Sequence, residues 1–145
     1  MRLLLQRVTR ACVRVHDEPI AQIGAGLLIF VGVFPDDGPE QIRWLADKVV
    51  GLRIFADADK PMNADIRQVG GELLVVSQFT LAADTSRGNR PGFSTAAEPY
   101  VARERFAEFV AALRERFDRV ATGEFGADMQ IELVNDGPAT FVLDR

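Results

Sequence analysis

The sequence has little of the chemistry that most metal-dependent and nucleophilic enzymes use. Its 145 residues include one cysteine, Cys12, and one histidine, His16. One cysteine cannot close an intrachain disulfide, and this usage is typical of a reducing compartment. The HExxH, paired CxxC, P-loop and GxGxxG-plus-acid patterns are also missing. We therefore expect no metal site and no cofactor.

A long apolar run is missing too. The apolar stretch within the first seven residues ends too early for a signal peptide, and no stretch approaches the roughly 20 residues needed to cross a bilayer. We expect a cytoplasmic protein that makes no contact with membranes.

The chain also lacks an excess of positive charge. It has 17 Lys and Arg against 21 Asp and Glu, a formal net charge of −4. Proteins that bind long nucleic-acid duplexes usually carry a basic face, because neutralising phosphates supplies most of their affinity. The charge argues against broad nucleic-acid binding but allows contact with the last one or two nucleotides of an RNA.

Apolar patterns predict one domain, residues 1–145, with strands and two helices. Continuous runs of β-forming residues predict buried strands at 27–33 and 73–76. Spacings of three and four residues predict a helix containing 42–49 and a longer one that begins near Pro99 and contains 106–117. Further strands are predicted at 13–15 and 20–23, which flank a turn at 16–19, and at 119–122, 129–134 and 140–143.

The order of these elements predicts an α+β fold. Strands buried on both faces need a layer on each side, and two helices can cover only one side. The other side then requires a second sheet layer. We expect a three-layer sheet–sheet–helix sandwich.

The single histidine and the single cysteine argue against a catalytic triad. Nucleophiles of the Ser-His-Asp or Cys-His type need a histidine beside them. His16 lies at a predicted hairpin turn and reads as an exposed turn residue. Cys12 lies in a predicted strand and reads as a small core residue.

Three segments remain as candidates for a functional site. A buried strand ends in Ser77, Gln78, Phe79 and Thr80. These residues belong either to a functional site or to a strand terminus whose hydroxyls cap the following turn. Residues 82–95 form a predicted loop in which Arg87, Arg90 and Phe93 meet either a nucleotide or only solvent. Residues 135–138, Asn-Asp-Gly-Pro, predict a turn, which in its simplest interpretation is only a hairpin.

In combination, these segments resemble the D-aminoacyl-tRNA deacylase (D-tyrosyl-tRNA(Tyr) deacylase) family over essentially the whole chain. The resemblance rests on residues 6–11 (QRVTRA), 23–28 (IGAGLL), 75–85 (VVSQFTLAADT), 87–88 (RG), 90–91 (RP), 123 and 125 (G and F), 127–130 (ADMQ) and 133–138 (LVNDGP). Departures are small: Cys12 stands where serine is frequent, and Ala139 where valine is common.

The resemblance implies a proofreading enzyme that hydrolyses the ester joining a D-amino acid to tRNA. It implies a homodimer with a site at the subunit interface, lined by Ser77, Gln78, Phe79 and Thr80. Gly137 and Pro138 match a Gly-cis-Pro motif that enters the partner's site and excludes L-amino acids. Arg7 matches the residue that holds this motif, and Phe125 and Met129 match positions around the terminal adenosine of tRNA. The intact SQFTL segment favours the D-specific branch over a related group that acts on L-alanyl-tRNA.

A mechanism that fits this inventory relies on positioning and oxyanion stabilisation. We expect backbone amides near Phe79 and Thr80 to stabilise the oxyanion, while a substrate hydroxyl and water supply the rest. Glycyl-tRNA is then expected to be a weak substrate, and Arg87 and Arg90 are candidate phosphate contacts. Two alternatives remain: a hydrolase with Thr80 or Ser77 as a covalent nucleophile, and a non-catalytic dimeric RNA-binding module.

Overall fold

The computed structural model describes every residue from Met1 to Arg145. Six strands, two α-helices and one 3-10 helix follow one another along the chain. In chain order they are β1 (Arg2–Val15), β2 (Glu18–Ile23), β3 (Gly26–Gly32), α1 (Pro39–Gly51), β4 (Glu72–Ser77), the 3-10 helix (Phe79–Ala82), α2 (Pro99–Arg114), β5 (Val120–Thr122) and β6 (Gln130–Asp144). Neither α-helix is both long and apolar enough to span a bilayer.

Strand β1 organises the sheet. Its C-terminal part pairs with β2 through a tight turn at His16 and Asp17, which both have positive φ angles. Its N-terminal part pairs with β3, and β6 runs antiparallel along nearly its whole length. Strands β4 and β5 then add in parallel to β3. The predicted hairpin around residues 16–19 is confirmed.

Strands β3 and β4 are covered on both faces. Leu27 and Ile29 belong to a core of 25 buried residues that includes the inner faces of both helices. Leu28 and Leu74 point the other way, into a second core of seven buried residues that also includes Val13. Alternate side chains of a strand point to opposite faces, so each strand serves both cores. The predicted α+β sandwich is confirmed, and its two sheet layers are joined through β1.

Both predicted helices are present and bury the predicted faces. Helix α1 begins after Gly38 with Pro39 in its first turn, and helix α2 likewise begins at Pro99. Proline suits this position because its fixed φ is helical and no intrahelical hydrogen bond is lost. Phe109 of α2 is fully buried. Its replacement by alanine would cost roughly 3–5 kcal/mol.

The Asn-Asp-Gly-Pro segment does not form a hairpin turn. Asn135 pairs with Val8 and Thr140 with Gln6, so β6 advances five positions (135 to 140) while β1 advances two (8 to 6). The extra residues bulge out of a strand that continues in the same direction, and the Gly137–Pro138 peptide bond is cis. The hairpin interpretation is therefore wrong. Both flanks of the segment pair with the same strand, which local turn chemistry cannot reveal.

Candidate active site

A cavity of about 490 Å³ opens at the C-terminal ends of the parallel strands β3 and β4. Ligands commonly bind beyond the carboxyl ends of parallel strands, where the backbone leaves the sheet. Most of the lining is apolar, and Ser77 and Gln78 supply polar side chains. The lining residues are Val31, Val33, Val76, Ser77, Gln78, Phe79, Ala97, Pro99, Ala102, Phe106, Phe125, Gly126, Ala127, Met129 and Ile131.

The 3-10 helix begins beside this cavity, since its first residue, Phe79, belongs to the lining. The N–H groups of Phe79 and Thr80 open the helix, so they have no carbonyl of that helix to bond. Gln78 precedes the helix and its side chain caps neither group. Its own N–H donates to the carbonyl oxygen of Val31 at 2.8 Å, which anchors the segment to β3. These N–H groups are suited to binding a negatively charged oxygen.

The side chains of this segment are held in place by two contacts. Nε2 of Gln78 donates to Oγ1 of Thr80 at 2.5 Å. The ring of Phe79 packs against Phe93 with centroids 4.9 Å apart, although 59% of Phe79 is exposed. Thr80 is exposed and does not line the cavity. Its hydroxyl lies beside an amide and not beside a base.

Phe125 and Met129 form part of the cavity wall, together with helix α2. The rings of Phe106 and Phe125 lie 5.8 Å apart, centroid to centroid, at 51°. A Cβ at Gly123 would lie 2.7 Å from Sδ of Met129, so the glycine leaves room for the thioether. An aromatic ring and a polarisable thioether are suited to packing against a flat heteroaromatic base.

No ionisable side chain lines the cavity. His16 lies in the β1–β2 turn and Cys12 in β1, with its Sγ 3.9 Å from the carbonyl oxygen of Val13. No three His, Cys, Asp or Glu side chains cluster where a metal ion could bind. The polar groups that this chain offers to the cavity are therefore backbone amides and the side chains of Ser77 and Gln78.

The β6 bulge containing Gly137 and Pro138 lies apart from this cavity, and neither residue is among its lining. Arg7 holds the bulge from β1. Its Nε donates to the carbonyl oxygen of Asp136, and its Nη1 donates to that of Ile54 at 2.6 Å.

Asn135 secures the base of the bulge. Its Oδ1 accepts a hydrogen bond from the N–H of Ala139 at 2.8 Å, and its Nδ2 donates to Oγ1 of Thr140 at 3.1 Å. Ala139, where the related motif has valine, is buried. Side chains from two strands thus fix the shape of the bulge.

Arg87 and Arg90 lie in an exposed loop. Two backbone hydrogen bonds of 2.8 Å between Asp84 and Gly92 close this loop. The N–H and side chain of Ser86 hold the pKa of Asp84 below its usual value. Neither arginine lines the cavity, so their role as phosphate contacts stays a prediction.

Several lining residues were not identified as site residues from the sequence. Val31 and Phe106 were interpreted as core positions, because they lie in the pattern of a buried strand and of a helix face. Nothing local distinguishes a side chain that faces a cavity from one that faces a filled core.

A family model and curated relatives match nearly the whole chain. The family described as D-Tyr-tRNA(Tyr) deacylase matches residues 4–144. A D-aminoacyl-tRNA deacylase of Alteromonas mediterranea is 55% identical over 138 residues, 95% of each chain. A solved structure titled c-Myc DNA Unwinding Element Binding Protein has a TM-score of 0.95 at 34% identity, covering 100% of this chain and 99% of the other.

A second solved structure supports the fold alone. It is titled as a probable eukaryotic D-amino acid tRNA deacylase and has a TM-score of 0.85 at 18% identity, covering 99% of this chain and 98% of the other. The full-length family match and the high identity of the curated relative carry the assignment of activity. The chain belongs to the D-aminoacyl-tRNA deacylase family and is a hydrolase with that activity.

Proposed function

We propose that the cavity at the end of β4 holds the terminal aminoacyl-adenosine of tRNA and that the ester is hydrolysed at its mouth. The observation that carries this is the position of Ser77, Gln78 and Phe79 beside an otherwise apolar cavity walled by Phe125 and Met129. The apolar walls suit the adenine base, and the polar segment suits the ester.

Backbone amides supply the electrostatic part of the reaction in this proposal. Attack on the ester carbonyl places negative charge on its oxygen, and the N–H groups of Phe79 and Thr80 stabilise that charge. Such donors typically contribute a few kcal/mol each to lowering the barrier. Water forms the new bond to the carbonyl carbon, and the ribose oxygen leaves with a proton. The neighbouring ribose hydroxyl assists, so no strong base from the protein is required.

The alternative is a covalent nucleophile at Thr80 or Ser77. A hydroxyl nucleophile needs a base within hydrogen-bonding reach. The partner of Thr80 is the amide of Gln78, which is not a base at neutral pH. Rapid quenching of a reaction with labelled D-tyrosyl-tRNA separates the two. Labelled amino acid bound covalently to the protein would support the nucleophile, and its absence at full turnover supports the proposal.

Chiral selection, in this proposal, comes from a second copy of the chain. Gly137 and Pro138 lie on a stiff bulge away from the cavity of their own chain, and in a homodimer the bulge enters the partner's cavity. A wall of rigid backbone rejects an L side chain, whereas a flexible side chain would move aside. Glycine has no side chain to reject, so glycyl-tRNA is a slow substrate. The enzyme then acts in the cytoplasm in translation quality control.

A deacylation assay with matched tRNAs tests this function. The same tRNA(Tyr) charged with D-tyrosine or L-tyrosine is incubated with the protein, and the remaining ester is counted. We expect rapid loss of the D ester, no loss of the L ester above the spontaneous rate, and slow loss from glycyl-tRNA. Equal rates for the D and L esters would contradict the rejection of L-amino acids.

A dimer is tested independently by sedimentation velocity. We expect twice the mass of the 145-residue chain at micromolar concentration. A monomer with full D-specific activity would contradict the cross-subunit part of the proposal while leaving the reaction itself intact.

A further inference from the structure

A second cavity, of about 660 Å³, adjoins the first one behind the rings of Phe106 and Phe125, which line both. It runs along α2 beside β5. The first cavity accounts for one nucleoside, whereas a tRNA end continues through a phosphodiester into further nucleotides. The second cavity is therefore the neighbouring space into which the strand can continue.

Arg103 lies at the junction of the two cavities. Its guanidinium carbon is 4.8 Å from the centroid of Phe125, and its Nη2 is 3.7 Å from the position that a Cβ at Gly126 would take. Phe125 lines both cavities and Gly126 lines the first. The cation thus lies where the two cavities meet.

The guanidinium of Arg103 makes no ion pair and no hydrogen bond within the chain. This sets it apart from Arg105 on the same helix, whose Nη1 binds both carboxylate oxygens of Glu108 at 2.7 and 2.8 Å. Arginine presents its donors in a planar fork that matches the oxygens of a phosphate. Stacking on Phe125 orients that fork while leaving its edge free.

The second cavity is basic in an acidic chain. Its ionisable lining residues are Arg103, Arg114 and Glu115, and the Glu115 carboxylate already accepts from Nη1 of Arg116 at 3.4 Å. Arg114 makes a single long hydrogen bond, from Nη2 to the carbonyl oxygen of Val120 at 3.4 Å. The two arginines are eleven residues apart on α2, which is about 16 Å along the axis. That spacing allows more than one phosphate to be contacted.

We propose that Arg103 binds the phosphodiester between the terminal adenosine and the preceding nucleotide, and that the cavity shared with Arg114 receives that nucleotide. This inference rests on the function proposed above. It supplies phosphate contacts close to the site, whereas Arg87 and Arg90 line neither cavity.

Two substrates separate this role from catalysis. One is D-tyrosyl-tRNA, and the other is D-tyrosyl-adenosine, which carries the same ester and nucleoside without any phosphodiester. For Arg103→Gln, we expect the ratio of kcat/KM for the tRNA to kcat/KM for the adenosine ester to fall about tenfold, through KM. Arg103→Lys keeps the positive charge but loses the planar fork of donors. Its ratio of kcat/KM values should therefore lie between those of the unaltered protein and Arg103→Gln. Arg43→Gln, an exposed substitution on α1 that lines neither cavity, should leave the ratio unchanged.

The salt dependence provides a second readout. Loss of one phosphate contact should reduce the slope of log KM against log salt by about 0.7 to 1 for the tRNA substrate. An unchanged ratio and slope in Arg103→Gln would overturn the inference, as would an equal loss on both substrates. Failure of the proposed function looks different, because Phe125→Ala, which removes a wall of the first cavity, would then leave KM for D-tyrosyl-adenosine unchanged.

Discussion

The guanidinium of Arg7 ties strand β1 to the bulge of β6, because its Nε donates a hydrogen bond to the carbonyl oxygen of Asp136 at 3.1 Å. The same Nε lies 3.1 Å from the Asp136 carboxylate, and Nη1 reaches the carbonyl oxygen of Ile54. One side chain thus connects the bulge to both β1 and the segment after α1.

Arg7→Ala should loosen the bulge and leave the carbonyl of Ile54 without its donor. We expect a loss of about 1–3 kcal/mol in unfolding free energy. If the bulge shapes the partner's site, kcat/KM for D-tyrosyl-tRNA should fall about 100-fold, because misplacement by an ångström carries that penalty. The matched control is Arg14→Ala, which removes another contact between β1 and β6, the exposed Arg14–Glu132 pair. An equal loss of activity in both variants would contradict a special role for Arg7.

Gly137→Ala should disturb the bulge directly. Gly137 has a φ of +132°, and a Cβ there would lie 3.0 Å from both the backbone nitrogen of Ala139 and Nη2 of Arg7. Such backbone strain costs roughly 1–3 kcal/mol. We expect a strong loss of D-tyrosyl-tRNA hydrolysis. Gly88→Ala is the control, since its φ of +64° is also positive but its surroundings are open. Full activity in Gly137→Ala would contradict a role for the bulge in the active site.

Phe79→Pro tests the backbone amide without relying on a side chain. Phe79 is the first residue of the 3-10 helix, a position where proline is tolerated because the N–H has no partner within the helix. Loss of the N–H should lower kcat by about 10²–10³-fold relative to Phe79→Ala, which removes the ring alone. Equal kcat values in the two variants would exclude this N–H from the reaction.

Thr80→Ala provides the complementary measurement. It removes the hydroxyl that accepts from Gln78 but keeps the N–H, so kcat should stay within about tenfold of the unaltered protein. A near-complete loss of hydrolysis with binding intact would instead favour Thr80 as a nucleophile.

Phe125→Ala should weaken the binding of the terminal adenosine. The substitution removes an aromatic wall of the cavity and its contact with Phe106. Loss of stacking on a base is worth about 1–3 kcal/mol, so KM should rise about 5- to 150-fold. Tyr100→Ala, at a side chain on α2 that is 69% exposed and lines neither cavity, should leave KM unchanged. Comparable KM values for the two variants would contradict adenosine binding here.

Asp65→Asn should reveal an acid-sensitive contribution to stability. The Asp65 carboxylate accepts hydrogen bonds from the side chain of Arg67 at 2.7 Å and from the N–H groups of Arg67 and Gln68, which holds its pKa below the usual 3.8. A lowered folded-state pKa stabilises the protein fully above the ordinary pKa, and this is lost as the pH falls through the lower one. At pH 7 we expect the variant to be less stable by up to about 1 kcal/mol, because asparagine keeps the backbone hydrogen bonds but loses the ion pair with Arg67. The difference should shrink in urea titrations below pH 3.8, and a constant difference would contradict this origin.

The elements were predictable because their signals are local. The continuous apolar run from Leu27 to Val31 indicates burial on two faces, and the spacing of Ile42, Leu45 and Val49 indicates a helix face. The end of β4 at Ser77 was visible for the same reason. The bulge was not visible, because Asn, Asp, Gly and Pro suit both a hairpin turn and an insertion into a continuing strand.

The cavity depends on residues far apart in sequence. Val31, Ser77 and Phe106 meet only after β3 pairs with β4 and α2 packs across them. From the sequence alone, Arg103 is one of several charged residues on the exposed face of a predicted helix. Only its position over Phe125, without a carboxylate partner, distinguishes it from Arg105.

The sequence by itself determined both helices, the buried strands β3 and β4, and the motifs that mark the deacylase family, but not the length of β1 or the continuity of β6. Those properties depend on side chains a few residues apart, whose spacing matches the repeat of a strand or helix. The tertiary structure alone decided which residues share the cavity, which way the chain runs through residues 135–140, and that Arg103 lies over the ring of Phe125 without an ion-pair partner. These three features depend on long-range strand pairing and helix packing. Such contacts bring together residues that are far apart in sequence and show no local pattern that links them.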